Sequence, residues 1–462
     1  MRVTPHLRLI CLIAAIDSSI YGYDTAVISG TVQALRAHFQ LSPLDVGWVV
    51  GSALLGCVAG VLLVGRLTDW LGRWRMFCVS ALLFVTSALW CYFAASVTDL
   101  VLARIVGGLG VGFGSLLVPI YIAEISPPAN RGALVSLHQL GIVTGMTLAY
   151  VVNAYIGREG NEVWLAEQGW RLMLAACGIP AILFLAVMPL IPESPRWLIK
   201  RGRDDDGLRV LRRLHGESAA LAEAREIRAA ASQEQGTLRE LFRPGVRNVM
   251  FMAMTLALFQ AITGINVIMY YAPSIYTSVG VGTSSALAQQ VINGLALIAG
   301  TISSMFVVDR LGRRPIMLMA MTAMGLSLAL MGVFFGSTGA AGLGWGLVLC
   351  TLLYIYAFNF GMGGIYWVMV AEIFPTRVRG AASSLSVVFL WGGNYLVLLV
   401  FPTLLDALKG HVFYVFAAIC AVCLAFIGYF VPETKGKTLE MIEGELFGVG
   451  RPAPYRCERI LE

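Results

Sequence analysis

The chain has 462 residues, of which 58% are hydrophobic, only 13% are charged and 50 are glycine, with a formal net charge of +6. A soluble globular domain carries roughly 25% charged residues, so this composition excludes an ordinary soluble protein. No nucleotide loop, metal-ligand cluster or nucleophile with its base emerges, which argues against an enzyme or an ATP-driven pump; no cofactor and no metal are expected.

In chain order, the first apolar stretch runs near residues 8–32. Its basic start and apolar middle imitate a signal peptide, but no small-residue cleavage site precedes Tyr21-Gly-Tyr23-Asp24, so it reads as an uncleaved helix. Asp17 is expected near its boundary and Asp24 well inside it. The second run, 46–65, is about 20 residues long and matches the roughly 30 Å hydrocarbon thickness at about 1.5 Å per helical residue. Similar runs follow near 76–96, 100–123, 133–156, 171–191, 248–277, 286–308, 315–336, 343–371, 381–402 and 411–431, giving twelve predicted spans.

Loops of one parity hold Arg66, Arg73, Arg75, Arg131, Arg310, Arg313, Arg314, Arg377 and Arg379; the other parity holds only Arg36, Arg158, Arg171 and Lys409. Positive charge collects on the cytoplasmic side, which places both termini and the polar stretch 196–247 there. The net charge therefore reflects topology and not nucleic acid. The expected organisation is a six-helix bundle over 1–195, a cytoplasmic linker with short amphipathic helices over 196–247, a second six-helix bundle over 248–432 and a cytoplasmic tail over 433–462. The nine cysteines mostly fall in spans without ligand partners and imply neither disulfides nor metal.

Two halves repeat each other. Tyr121-Ile-Ala-Glu124-Ile-Ser-Pro-Pro-Ala-Asn-Arg131-Gly returns 248 residues later as Met369-Val-Ala-Glu372-Ile-Phe-Pro-Thr-Arg-Val-Arg379-Gly; Asp69-Trp-Leu-Gly72-Arg73 returns as Asp309-Arg-Leu-Gly312-Arg313, and Pro192-Glu193 as Pro432-Glu433. Such duplication signals a repeated bundle. Physically, a glycine in each Asp-x-x-Gly-Arg run permits a tight turn past a helix end, while the acids and arginines offer ion-pair partners. Asp69, Arg73, Glu124, Arg131, Glu193, Arg196, Asp309, Arg313, Glu372, Arg379 and Glu433 are the candidate latch residues, holding the cytoplasmic side closed and separating when it opens.

These motifs, with Gly65-Arg66-Leu-Thr-Asp69, Pro192-Glu193-Ser-Pro195-Arg196-Trp197 and Pro432-Glu433-Thr-Lys435-Gly436, resemble the sugar porter family of the major facilitator superfamily. Gly22-Tyr23-Asp24-Thr-Ala-Val-Ile-Ser-Gly30 is especially similar to the bacterial proton-coupled symporters for xylose, arabinose and galactose. The resemblance implies an all-α membrane protein of twelve transmembrane helices in two six-helix pseudo-repeats, alternating access around a midplane site, and a cell-membrane location. The implied partners are a sugar or polyol, a proton and the bilayer, with the chain working as a monomer.

A charge inside a span costs at least about 2.5–3.5 kcal/mol and marks a functional site by default. Asp24 is such a charge, and the resemblance names Arg104 as its partner; protonating Asp24 weakens that hold and couples proton to substrate. The family's polar sugar-contacting positions fall on Gln139, Gln260, Asn266 and Asn394, and its aromatic ones on Tyr21, Tyr270, Trp367 and Trp391. Ala261, Leu390 and Met146 stand where relatives commonly carry glutamine, and Asn293 lies one turn before a usual asparagine, near Leu297. A less polar pocket suits a deoxy or smaller sugar or a different polyol. A facilitative uniporter and a transport-deficient sugar sensor are the competing readings. The glycine run Gly107-Gly108-Leu-Gly110-Val-Gly112-Phe-Gly114 reads as close helix packing and not as phosphate binding, and His138, beside Gln139, either tunes the site or faces lipid or a neighbour.

Overall fold

The structure is a computed structural model and describes residues 4–127, 130–159, 161–231, 238–242, 246–278, 280–336, 343–374, 379–435, 437 and 441. Among these residues there is helix and no strand. Only helices and closed barrels satisfy every backbone group within hydrocarbon. The spans are Pro5–Gly30, Pro43–Leu71, Arg73–Phe93, Val97–Ile125, Arg131–Arg158, Glu162–Leu190, Val246–Ser278, Thr283–Leu311, Arg313–Phe335 and Trp345–Val370. A last apolar stretch, Ala382–Phe430, contains the helices Arg379–Leu408 and Val412–Phe430, which completes twelve.

Local chemistry sets several helix starts. Thr4 accepts from the Leu7 N–H, and Pro5 occupies the first turn, where a missing N–H costs nothing. Reciprocal capping boxes, Ser42 with Asp45 and Ser96 with Asp99, open the second and fourth spans. Because the first helix starts at Pro5 and not near residue 8, Asp17 becomes the thirteenth of its 26 residues. The boundary placement expected for Asp17 is therefore wrong: it is fully buried at the middle of the span.

Two spans are interrupted where they approach the centre. The seventh stops at Ile262, passes through Gly264 at φ +95° and restarts at Ile265; the Tyr354 hydroxyl donates to the freed Thr263 carbonyl at 2.9 Å. The tenth contains a π-helical turn, Asn359–Gly363, a device common at functional sites. Each leaves backbone and amide groups pointing at a cavity.

Glycine decides how closely the spans approach. A Cβ on Gly22 would fall 2.0 Å from the Ile142 carbonyl oxygen, and one on Gly145 would fall 1.9 Å from that of Ser19, so the first and fifth spans touch backbone to backbone. Gly108 makes the same approach to Ala53, locking the fourth span on the second. Across the halves, the Gly47 position abuts the Leu399 carbonyl and Gly294 abuts Thr147. Without a solvent-driven hydrophobic force between helices, such contacts are the main source of association.

The linker forms the short helices Pro195–Lys200, Asp204–His215 and Glu217–Ala231 around a small core of Ile199, Leu211, Ala220, Ala224 and Ile227. His215 and Leu214 bond to Ile125 and Thr4, so the linker packs at the end where the first span begins and the fourth finishes. Replacing Gly145 by valine should push the first and fifth spans apart. The expected cost is about 1–3 kcal/mol from overpacking, seen as a lower melting temperature of detergent-purified protein, with a surface control such as Leu62→Val unchanged.

Candidate functional site

At the linker end the repeated motifs form two matching clusters. Arg73 grips Glu124 with two bonds, Nε at 3.0 Å and Nη2 at 2.8 Å, and reaches Asp69 at 3.5 Å. In the second half Arg313 bonds Glu372 at 3.0 Å and Asp309 at 3.1 Å. Glu193 accepts the backbone N–H groups of Arg73, Trp74 and Ser194, while Glu433 accepts those of Arg313, Arg314 and Lys435. Gly72 and Gly312 take left-handed φ of +91° and +96°, and a Cβ at either would lie 2.3 or 2.6 Å from the neighbouring glutamate oxygen. Glycine is thus required twice over, by conformation and by the carboxylate. Burial pushes the Glu193 carboxyl up although backbone N–H groups oppose it; around Glu433 burial works the same way but the N–H groups prevail and hold it low.

Arg131 begins the fifth span and Arg196 is exposed on the linker; neither forms an ion pair among the described residues. Arg379 opens the eleventh span, but its side chain lies outside the described residues, as does most of the tail 433–462. Among the described residues, every ion pair at this end stays within one half, stays within the linker or ties the linker to the first half. At the opposite end the halves are joined: Arg36 faces Asp406 at 3.9 Å, Ser29 donates to Gln290 at 2.7 Å, Gln33 to Thr277, and Ser284 to the Gly157 carbonyl at 3.1 Å. The halves meet at that end, and among the described residues no ion pair joins the two latch clusters at the linker end.

Between the two ends lies a cavity of about 100 Å³ whose lining includes Tyr21, Gln139, Gln260, Asn266, Trp367, Trp391 and Asn394. Asn266 donates to Asn394 at 2.6 Å, and Asn394 donates onward to the Leu390 carbonyl. The Trp391 Nε1–H and the Gln260 Oε1 are buried without partners. Buried polar groups are normally paired, so these two orphans mark a surface shaped for a polar guest. Tyr21 meets Trp391 edge-on at 6.2 Å across the interface of the halves. Tyr270 is buried but does not line the cavity; it lies within electrostatic reach of Arg104.

Leu390 and Met146 do line the cavity, whereas Ala261 packs toward Gly393, away from it. Asn293 turns to the Tyr276 hydroxyl at 3.5 Å and Leu297 is buried. Sequence reasoning missed Asn359, Thr25 and Ser115 as lining residues and left His138 undecided; His138 lines the cavity and bonds Ser18 at 2.8 Å. Asn359 was hidden because its direction depends on the π turn, which no residue pattern announces.

Asp24 and Arg104 are buried together. Arg104 Nη1 stands 3.4 Å from both carboxylate oxygens of Asp24 and 3.1 Å from its backbone carbonyl, with Nε unpartnered. One nitrogen shared among three oxygens is a looser hold than the fork that Arg73 makes on Glu124. Residues 10–446 match the Sugar (and other) transporter family. The chain belongs to this family. It is 37% identical over 437 residues to an arabinose-proton symporter of Bacillus subtilis, covering 94% of each chain. It is 36% identical over 468 residues to a D-xylose-proton symporter of Escherichia coli, again covering 94% of each. The inward-open structure of the xylose transporter XylE from E. coli superposes with a TM-score of 0.85 at 33% identity, over 95% of this chain and 100% of that one. The fold is that of the major facilitator superfamily, with twelve helices in two sets of six.

The linker carries a titratable joint. His215 is enclosed between two acceptors, the Glu223 carboxylate at 2.5 Å and the Ile125 carbonyl at 2.9 Å. Burial works against the charged ring, but the two acceptors outweigh it and raise His215 above its ordinary 6.5. A raised folded value stabilises docking below the ordinary value and loses that stabilisation as pH rises through the raised one. Cleavage of the Glu217–Ala231 helix in limited proteolysis should therefore increase as pH rises past the ordinary histidine range, and His215→Ala should be cleaved faster throughout without a pH step.

Proposed function

We propose that the chain carries a monosaccharide or related polyol across the cell membrane together with a proton, by alternating access between its two six-helix halves. The supporting observation is the meeting of two features in one region. A cavity shared by both halves presents unpartnered hydrogen-bonding groups, and the buried Asp24–Arg104 pair adjoins it through Thr25. Sugar hydroxyls need amide and indole partners of this kind, while sugar C–H faces suit Tyr21 and Trp391. The small volume favours a single ring over a disaccharide, and the apolar wall of Met146 and Leu390 favours a deoxy or hydroxyl-poor face.

The basic, linker-bearing end is assigned to the cytoplasm by its arginines. In this state that end has released its latches while the outer end is joined. The Asp69, Arg73, Glu124 and Glu193 cluster and its Asp309, Arg313, Glu372 and Glu433 counterpart meet in the opposite state, with Arg131, Arg196 and Arg379 as the bridging cations. Protonation of Asp24 removes the charge that Arg104 compensates. Arg104 keeps the Asp24 backbone carbonyl as a second acceptor, so it is not stranded when the carboxyl is neutral. The titration of one carboxyl thereby biases a rocking equilibrium.

Asp24→Asn should abolish uptake driven by a pH gradient in proteoliposomes while sugar counterflow partly survives; full gradient-driven accumulation by the variant would remove the coupling role and favour a uniporter. Trp391→Phe, which keeps the ring surface but deletes the orphaned N–H, should weaken binding by about 1 kcal/mol, roughly fivefold. Calorimetric titration with pentoses, hexoses and inositols measures this. A panel in which none binds, while another solute class does, overturns the substrate assignment.

A further inference from the structure

The first span carries a second buried carboxyl. Asp17 lies seven residues before Asp24, and two helical turns place both on one face, about 10 Å apart along the axis. The fourth span answers with glycines at the same spacing. A Cβ on Gly107 would lie 3.1 Å from Asp24 Oδ1, and one on Gly114 would lie 2.6 Å from Asp17 Oδ2. One helix thus presents two acids, and its neighbour clears room for each.

The two acids differ in their partners. Asp24 has Arg104, whereas Asp17 has a single neutral donor, the Ser80 hydroxyl at 3.0 Å, and its Oδ2 has none. Around it the third span contributes Ser80 and the fourth the Gly110 carbonyl, which also faces Ser80, and Gly114. The ionisable groups that packed spans bring to this helix include Arg104, paired at Asp24, and His138 of the fifth, bonded to Ser18; Tyr121 of the fourth lies near Cys11, and Cys57 of the second, Cys91 of the third and Cys177 of the sixth lie near Asp24. Among the described residues no cation pairs with Asp17. A carboxylate so placed bears its full desolvation cost, whereas a carboxylic acid is neutral and has an O–H to donate. A permanently charged residue would not be left in this position.

We propose that Asp17 is a proton-carrying residue in series with Asp24, nearer the cytoplasmic end. This rests on the proton-symport reading above. Asp17, resting as the neutral acid, first gives its proton to water on the cytoplasmic side and is left briefly as a carboxylate. The O–H bond of protonated Asp24 then breaks, the proton passes through water admitted between the spans during rocking, and an O–H bond re-forms on Asp17. One proton enters and one leaves, with no other bond changed. Asp17 does not line the cavity, so exchange of sugar that needs no net proton movement does not require it.

The test compares wild type, Asp24→Asn, Asp17→Asn and Asp17→Glu in proteoliposomes, following sugar-evoked proton movement with an internal pH dye alongside counterflow. Asp17→Asn preserves size and the Ser80 contact. The expected result is a fall of at least about tenfold in proton-driven uptake, as for loss of a proton-transfer group. Its pH profile should flatten, counterflow should stay within about twofold of wild type, and Asp17→Glu should recover part of the rate. Unchanged proton-driven uptake in Asp17→Asn overturns the proposal, as does an equal loss of uptake and counterflow with a lowered melting temperature, which assigns Asp17 a packing role. A wild type that moves sugar without protons overturns the symport reading and this inference together, whereas a coupled wild type with a coupled Asp17→Asn sinks this inference alone.

Discussion

Hydrocarbon does not solvate charge, and the placement of every ionised group in this protein answers to that constraint. Asp69, Arg73, Glu124 and Glu193, and their counterparts in the second half, sit at span ends where water and backbone N–H groups share the load. Asp24 enters the interior only with Arg104 beside it. Where a carboxyl enters without such a partner, as at Asp17, the constraint makes the proton itself the compensating charge.

Close helix packing makes this arrangement rigid enough to switch. Because Gly22, Gly108 and Gly145 let backbones touch, the first half is closely packed and has little local slack. The seventh and tenth spans are interrupted, their backbone held in part by side chains such as Tyr354 and not by an unbroken helical ladder. These breaks lie against the cavity.

The linker adds a layer that the repeat does not contain. His215 ties it to the Ile125 carbonyl at the end of the fourth span, one residue after Glu124.

The sequence by itself determined the number of spans and the twofold repeat, because hydropathy and repeated motifs are properties of residue order. It misplaced Asp17, since the true start of the first helix depends on the cap at Thr4 and Pro5 and shifts the midpoint of the span toward Asp17. Only the tertiary structure decided that Asn359 and His138 line the cavity, that Ala261 and Tyr270 do not, and that the latches pair within their own halves. Those outcomes turn on rotation about a helix axis, on a π turn and on the rocking state of the bundle, which are relations between segments that no stretch of sequence contains.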